Sequence, residues 1–471
     1  MQLYAEKHLL DEYIPRRVKF QEANRVAAGR AFCIGWSVNP CGKEDLNLDI
    51  YVVRSDDTLW NIARRYGVSA ESLAEINQLR NPALLSVGQA LLIPREDQRY
   101  TVRQGDTLWA IARRYDLPVA CLIGANPQIA DPNRIRPGQI LRIPLRSCAQ
   151  GEILVNGYIS GAAAASLEAQ LPYLSFLSPF AWRADGEGGL TRDMNVDTDM
   201  SGAYGTANLL TVTNQRPEGG FSGEIAHALF RDQAVQDRFL ENLEAALAAG
   251  EYYGLNLDFE YIFPYDREAY NAFLQRLADR LHCLGYLLVT ALAPKSSDSQ
   301  QGLLYTAHDY AAHGKAADYV VLMTYEWGYT YGPPMAVAPI DRVRQVLDYA
   351  VSVMPAGRIL LGVPNYGYDW TLPFRQGSAA RVLTNTGAVT LAGQAKAAIE
   401  YDPRAQAPFF RYSDSEGRQH EVWFEDARSL RAKYALVSEY GLGGVSFWNL
   451  NSLWRAALLL LGSMYGVEKL V

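Results

Sequence analysis

From Gly151 to the C-terminus the chain repeats one texture: a short apolar run, then a segment whose apolar residues recur at three- and four-residue spacing. The runs are ILVNGYIS from Ile153, YLSFLSPFAW from Tyr173, LLTVTN from Leu209, GLNLDFEY from Gly254, LLVTALAP around Leu288, YVVLMTY from Tyr319, ILLGVPNYG from Ile359 and GVSFWN from Gly444. Runs of this length and composition read as buried strands. Between them lie helical stripes, such as Phe239, Leu240, Leu243 and Leu247 within Ala234 to Ala249. Eight strands alternating with helices predict an α/β fold, a (β/α)8 TIM barrel over residues 151–471. The interval between the seventh and eighth strands is longer than the others. It predicts an inserted hairpin region near 368–438, with PFFRYSDSEGRQHEVWF (Pro408 to Phe424) turning at Ser-Glu-Gly.

Upstream the texture is different, because the chain repeats itself. YVVRSDDTLWNIARRYGVSAESLAEIN from Tyr51 matches YTVRQGDTLWAIARRYDLPVACLIGAN from Tyr100, and VGQALLIP (Val87 to Pro94) matches PGQILRIP (Pro137 to Pro144). A fixed repeat of this kind marks one small folding unit used twice. Each copy predicts a strand, a D-T-L-W turn into a helix, a second helix ending near Asn77 or Asn126, and a closing strand after Gly-Gln, a β-α-α-β unit. Asp57 or Thr58, and Asp106 or Thr107, stand where a side chain can cap the first helix. The expectation for Trp60, Trp109 and the neighbouring leucines is burial in the unit's core.

These two segments, 50–94 and 100–144, resemble the LysM module, which binds glycans containing N-acetylglucosamine. The resemblance implies a shallow groove between the loop after the first strand (55–59 and 104–108) and the loop before the last, with Asp57, Thr58, Asp106 and Thr107 as substrate-binding candidates. Residues 1–49 carry no comparable pattern and are left unassigned. No Met lies between Met1 and Met194, so a later native start would need an alternative codon.

Composition narrows the partners. With Lys+Arg 44 against Asp+Glu 51 and a net charge of -7, no overall positive field is available for phosphate backbones, and nucleic-acid binding is disfavoured. The hydrophobic fraction of 49% supports a folded, soluble protein of several domains. No apolar run approaches the length of a membrane span, and the first residues lack a secretory pattern, so synthesis in the cytoplasm without general export is expected. Cys33, Cys41, Cys121, Cys148 and Cys283 are scattered and odd in number, and are expected to be free thiols. The six histidines show no ligand spacing, so no metal and no cofactor is expected.

The fourth strand carries the chemistry. Asn256, Asp258 and Glu260 alternate with Leu255, Leu257 and Phe259. Side chains alternate across a strand, so one face is apolar and suits the helical jacket, while an amide and two carboxyls point into the barrel. Burying two carboxyls is costly, and Glu260 stands near the carboxyl end, where barrel active sites lie. A solvated edge strand is the alternative reading.

Here the chain resembles glycoside hydrolase family 18, whose mark on this strand is D-x-x-D-x-D-x-E. Asp258 and Glu260 fit its last two acidic positions, whereas Asn256 and Tyr253 stand at the other two. MTYEWGY (Met323 to Tyr329) resembles the family's M-x-Y-D motif with Glu326 in place of Asp, and Trp448 resembles the tryptophan that floors the sugar site. The resemblance implies catalytic roles for Glu260 as the acid, Asp258 as its assistant and Tyr325 as a contact to the acetamido oxygen. It implies substrate contacts for Asn256, Met323, Glu326 and Trp448, and a retaining mechanism in which the substrate's own acetamido group attacks.

Two LysM-like units before such a barrel resemble the spore cortex-lytic N-acetylglucosaminidases, with PPMAVAPI (Pro333 to Ile340), LPFRQG (Leu372 to Gly377) and HEVWFED (His420 to Asp426) as supporting segments. That resemblance implies a spore-associated, coat- or cortex-located, monomeric enzyme that acts on cortex peptidoglycan and aids germination. A chitinase of the same fold and a catalytically silent glycan-binding protein are the alternatives. Deleting residues 50–144 is expected to lower retention on insoluble peptidoglycan in a pull-down, and unchanged retention would contradict the assignment of those units.

Overall fold

The computed structural model describes residues 47–95, 98–115, 117, 119–129, 131–143, 150–161, 167–193, 196, 198 and 201–471. Residues 1–46 of the unassigned N-terminal segment lie outside the described residues.

The eight apolar runs form eight parallel strands: β1 (Glu152–Ser160), β2 (Phe176–Phe180), β3 (Ala207–Thr213), β4 (Gly254–Asp258), β5 (Leu287–Leu292), β6 (Tyr319–Leu322), β7 (Ile359–Pro364) and β8 (Gly444–Trp448). Each pairs with its successor, and β8 pairs with β1, so the barrel closes. The outward residues of β4, Leu255, Leu257 and Phe259, are fully buried in one core with Phe239, Leu243, Phe273 and Leu277 from the helices Gln233–Ala249 and Arg267–Cys283. Burying one such side chain contributes roughly 1.5–3 kcal/mol, which holds β4 in the register that turns its polar residues inward.

The insertion after β7 is larger than the expected hairpin. Ala407–Ser413 and Gln419–Trp423 do pair antiparallel, with Gly417 at φ 78° in the turn, but they are two strands of a five-stranded sheet. Tyr366–Leu372 and Arg381–Thr384 extend it on one side and Glu400–Asp402 on the other. The flanking strands are short or interrupted by turns, and their periodicity is too brief to read alone.

Each small unit pairs its first and last strands antiparallel, Asn47–Val52 with Ala90–Arg95 and Gln98–Thr101 with Ile140–Ile143. The repeated asparagine explains itself. Asn77 donates from Nδ2 to the carbonyls of Leu73 (2.9 Å) and Leu92 (2.8 Å) and accepts from the Leu92 N–H (2.7 Å), which bolts the second helix to the closing strand. Asn126 repeats this with Leu122 and Arg142. Trp60 and Trp109 depart from expectation: they are 60% and 62% exposed, each with the arginine one turn later, Arg64 or Arg113, over its ring at 5.4 Å. Leu59 and Leu108, Ile62 and Ile111 fill the core stripe, and the tryptophan one position along the helix points away from it.

The cysteine expectation also needs correction. Cys121 is engaged in a disulfide, while Cys283 is free and exposed. Pairing depends on how closely the fold brings two Cα atoms, which scatter along the chain does not reveal. Cys33, Cys41 and Cys148 lie outside the described residues. Among the described residues, no helix is long and apolar enough to cross a membrane.

Candidate active site

At the carboxyl ends of the strands lies a cleft of about 680 Å³. Asp258 and Glu260 enter it from β4 and the residues just beyond; Met323, Tyr325 and Glu326 enter after β6, and Trp448 ends β8. Aromatic side chains wall it. Trp448 meets Tyr158 edge-on at 5.4 Å and Phe180 at 5.0 Å, and Phe221 stacks on Tyr261 at 6.4 Å. Tyr261 (φ 55°) and Glu326 (φ 66°) hold left-handed backbone conformations, a costly arrangement that tends to gather at functional sites.

Asp258 is 4% exposed, and its Oδ1 has no hydrogen-bond partner. Burial pushes its pKa up to about 7. Burial also raises Glu260 well above the ordinary carboxyl range, reinforced by the charge of Asp258 and then of Glu326. Burial and the repulsion between the two carboxyls oppose ionising both, so the pair titrates as a unit and keeps a proton to higher pH than exposed carboxyls would.

The backbone of Glu260 is clamped. Asn214, one residue past β3, donates from Nδ2 to the Glu260 carbonyl (2.8 Å) and accepts the Glu260 N–H at Oδ1 (3.0 Å). Its Nδ2 also reaches the Ser222 carbonyl at 3.0 Å. Behind it, His308 accepts the Ala293 N–H at Nδ1 (2.9 Å), which leaves Nε2–H to donate to the Phe259 carbonyl at 3.0 Å. Burial lowers this imidazole to about 4, so it stays neutral. Neither residue was singled out from the sequence; Asn214, a polar residue closing an apolar run at a strand's carboxyl end, was the readable clue.

Asn256 does not reach the cleft. It is fully buried below Asp258 and donates from Nδ2 to Tyr158 Oη and Ser178 Oγ, both at 3.0 Å. Ser178 donates in turn to Asn156 (2.7 Å), and Asn156 to Ser446 (2.9 Å). This network is neutral, so no charge beneath Asp258 competes with the pair above. Glu326 shows part of its side chain to the cleft, but its carboxylate is gripped by the hydroxyls of Tyr366 and Tyr368, the latter at 3.0 Å. Partial burial raises its pKa and the two phenols oppose the rise. The phenol of Tyr325 is 8% exposed and kept protonated by burial.

The candidates in the small units are otherwise engaged. Asp57 accepts from Tyr51 Oη (2.6 Å) and the Arg54 N–H (2.8 Å), and Thr58 caps its helix through the Asn61 N–H (3.1 Å). Asp106 and Thr107 repeat these bonds with Tyr100, Arg103 and Ala110. Their side chains shape the loop.

Comparison with known proteins agrees with this architecture. The model of glycosyl hydrolases family 18 matches residues 219–452, and the LysM domain matches 51–94 and 100–144. The cortical fragment-lytic enzyme of Bacillus subtilis (strain 168) is 42% identical over 429 residues, covering 90% of this chain and 99% of that protein. The chain belongs to glycosyl hydrolase family 18. Within the family, the crystal structure of the spore cortex-lytic enzyme SleL of Bacillus megaterium QM B1551 superposes with a TM-score of 0.78 at 36% identity, covering 90% of this chain and 99% of that one. A chitinase from Chromobacterium violaceum superposes at 0.62 with 29% identity over 66% of this chain and 98% of that one. The family member described here is thus a glycoside hydrolase whose likeness to the cortex-lytic enzymes extends through its LysM domains, whereas the chitinase matches a smaller share.

The raised pKa of Asp258 has a consequence for stability. Its folded-state value lies above the unfolded one, so the folded state binds the extra proton and stability falls as pH rises from about 4 through about 7. Asp258→Asn removes this penalty. Thermal melts should show the variant gaining on the parent across that window by about 1 to 4 kcal/mol; a difference independent of pH would contradict the burial of an ionising carboxyl there.

Proposed function

We propose that this chain is a peptidoglycan-binding glycosidase that hydrolyses N-acetylglucosaminyl bonds of spore cortex peptidoglycan with retention of configuration. The observation that carries the proposal is the placement of Asp258 and Glu260, each with its pKa raised by burial, in an aromatic-walled cleft. A protonated Glu260 serves as general acid to the leaving glycosidic oxygen. No second carboxylate then needs to attack: the substrate's acetamido oxygen closes on the anomeric carbon and forms an oxazolinium intermediate. Asp258, negatively charged, orients the acetamido N–H and offsets its developing charge, while the Tyr325 hydroxyl donates to the carbonyl oxygen. Glu260, now ionised, takes a proton from the water that opens the ring.

This chemistry requires an N-acetyl group on the sugar in the cleaved position, the same group that LysM domains are known to bind. The names of the similar Bacillus enzymes support cortex fragments as the polymer. The match to a chitinase keeps chitin as the competing polymer. Mass spectrometry of products from purified cortex fragments and from chitin separates the two: release from cortex alone supports the proposal, and release from chitin alone overturns it.

The active form carries one proton over the pair. Raising the pH through the elevated Glu260 value removes the acid, and lowering it protonates Asp258 as well, so kcat/KM should be bell-shaped with limbs that belong to the pair. Glu260→Gln should lower kcat by about 10²–10⁴-fold and abolish the alkaline limb while glycan binding persists. Equal turnover in that variant would remove Glu260 from the role of acid.

A further inference from the structure

The cleft is lined by the carboxyl groups of Asp258, Glu260 and Glu326 and, among the described residues, by one cation, Arg342. Arg342 stands in the first turn of the helix Ile340–Val353, which follows the same strand end that supplies Tyr325 and Glu326. Gln345 and Val346 line the cleft with it, and their three- and four-residue spacing puts all three on one face of that helix. Val343, Val346 and Leu347 are buried, whereas Arg342 and Gln345 are exposed, so apolar residues anchor the helix and the polar pair is left at the cleft. The insertion after β7 pins the start of the helix. The Ile340 N–H donates to the Ala405 carbonyl (2.9 Å), and Arg404 pairs with Asp341 (2.8 Å).

The charge of Arg342 is unanswered. Arg344, two residues on, is paired with Glu439, and the neighbouring Asp341 is taken by Arg404. The Arg342 guanidinium donates to the neutral Gln345 Oε1 at 3.3 Å, and no carboxylate among the described residues forms an ion pair with it. A guanidinium offers five donors in a planar fork, so most of these stay open. Arg342 does not serve the reacting pair either: burial and the charges of Asp258 and Glu326 raise Glu260, and Arg342 does nothing to oppose them. The cation therefore stands apart from the acid, in a cleft whose volume of about 680 Å³ exceeds that of one sugar ring.

An open arginine fork in a binding cleft suits a carboxylate on the ligand. Chitin carries none. Peptidoglycan alternates N-acetylglucosamine with N-acetylmuramic acid, whose lactyl ether ends in a carboxyl that is either free or extended by a peptide with a carboxyl of its own, and closing it to a lactam removes the charge. We infer that Arg342 is a specificity-determining residue, which receives a carboxylate borne by a muramic acid unit of the bound strand and so favours acid-bearing glycan over neutral glycan. The inference rests on the proposed cleavage of N-acetylglucosaminyl bonds and names the class of strand that the cleft selects.

The test measures kcat/KM of the full chain on oligosaccharides of alternating N-acetylglucosamine and N-acetylmuramic acid, with the lactyl carboxyls free, capped as methylamides, or joined to alanine whose own carboxyl is free. The parent is expected to prefer an acid form over the methylamide by about tenfold, with the difference in KM, and the preferred acid form identifies which carboxylate is read. Arg342→Gln should bring that ratio to about one, and Arg342→Glu should invert it. Each ratio is taken within one chain, so partial loss of folding cancels. A parent with no preference, or a preference that both variants keep, would overturn the inference while the glycosidase reading stands. Failure to cleave any of these glycans would remove that reading and the inference together.

Discussion

Two carboxyl groups share one cleft, and burial together with their mutual repulsion opposes ionising both. Much of the barrel can be read as the means of holding that arrangement. The period-two alternation of β4 sends Leu255, Leu257 and Phe259 into the helical jacket and therefore sends Asp258 and Glu260 inward on one face. Asn214 grips both backbone groups of Glu260 and His308 the carbonyl just before it, so the acid is aimed by its main chain. Beneath the pair, Asn256, Tyr158, Ser178 and Asn156 form a satisfied network that contributes hydrogen bonds without charge. The proton's position is thus set by burial and by the two carboxyls themselves, with Glu326 as a more distant influence held by two phenols.

What could be read from the chain follows from which interactions are periodic. The eight strands, the repeated β-α-α-β unit and the inward face of β4 rest on local alternation or on direct repetition, and the expected strands coincide with those of the barrel. Features that depend on distant parts of the chain meeting were not readable. Asn256 stands in register with two carboxyls and looks like a substrate contact, yet the closed barrel brings Tyr158 and Ser178 over it from β1 and β2. Trp60 and Trp109 are large and apolar beside buried leucines, but one helical step of about 100° carries them to solvent, where an arginine covers the ring. Asp57 and Thr58 look alike as cap candidates, but Thr58 makes the cap while Asp57 binds Tyr51 and the Arg54 N–H within the loop. The insertion showed only its hairpin because the remaining strands are short and are completed by partners far along the chain.

The seating of the first LysM domain changes how the parts relate. A binding module on a loose tether raises local substrate concentration without directing the chain. Here Trp454, Arg455 and Arg428 fix the module's orientation, and Gly88 allows backbone contact that a side chain would forbid. Recognition and cleavage of the same polymer can then share a geometry, with the direction of the bound strand set by protein packing.

The central claim is the proton on Glu260, and it can be observed without substrate. Carbon-13 NMR of the full chain labelled at glutamate side-chain carboxyls, with Glu260→Gln to assign its resonance, follows that group through a pH titration. The account predicts a carboxyl still protonated at pH 7 whose midpoint falls when Asp258 is replaced by Asn, because the neighbouring charge has gone. A Glu260 resonance that titrates in the ordinary carboxyl range near 4.5, unmoved by that replacement, would contradict it.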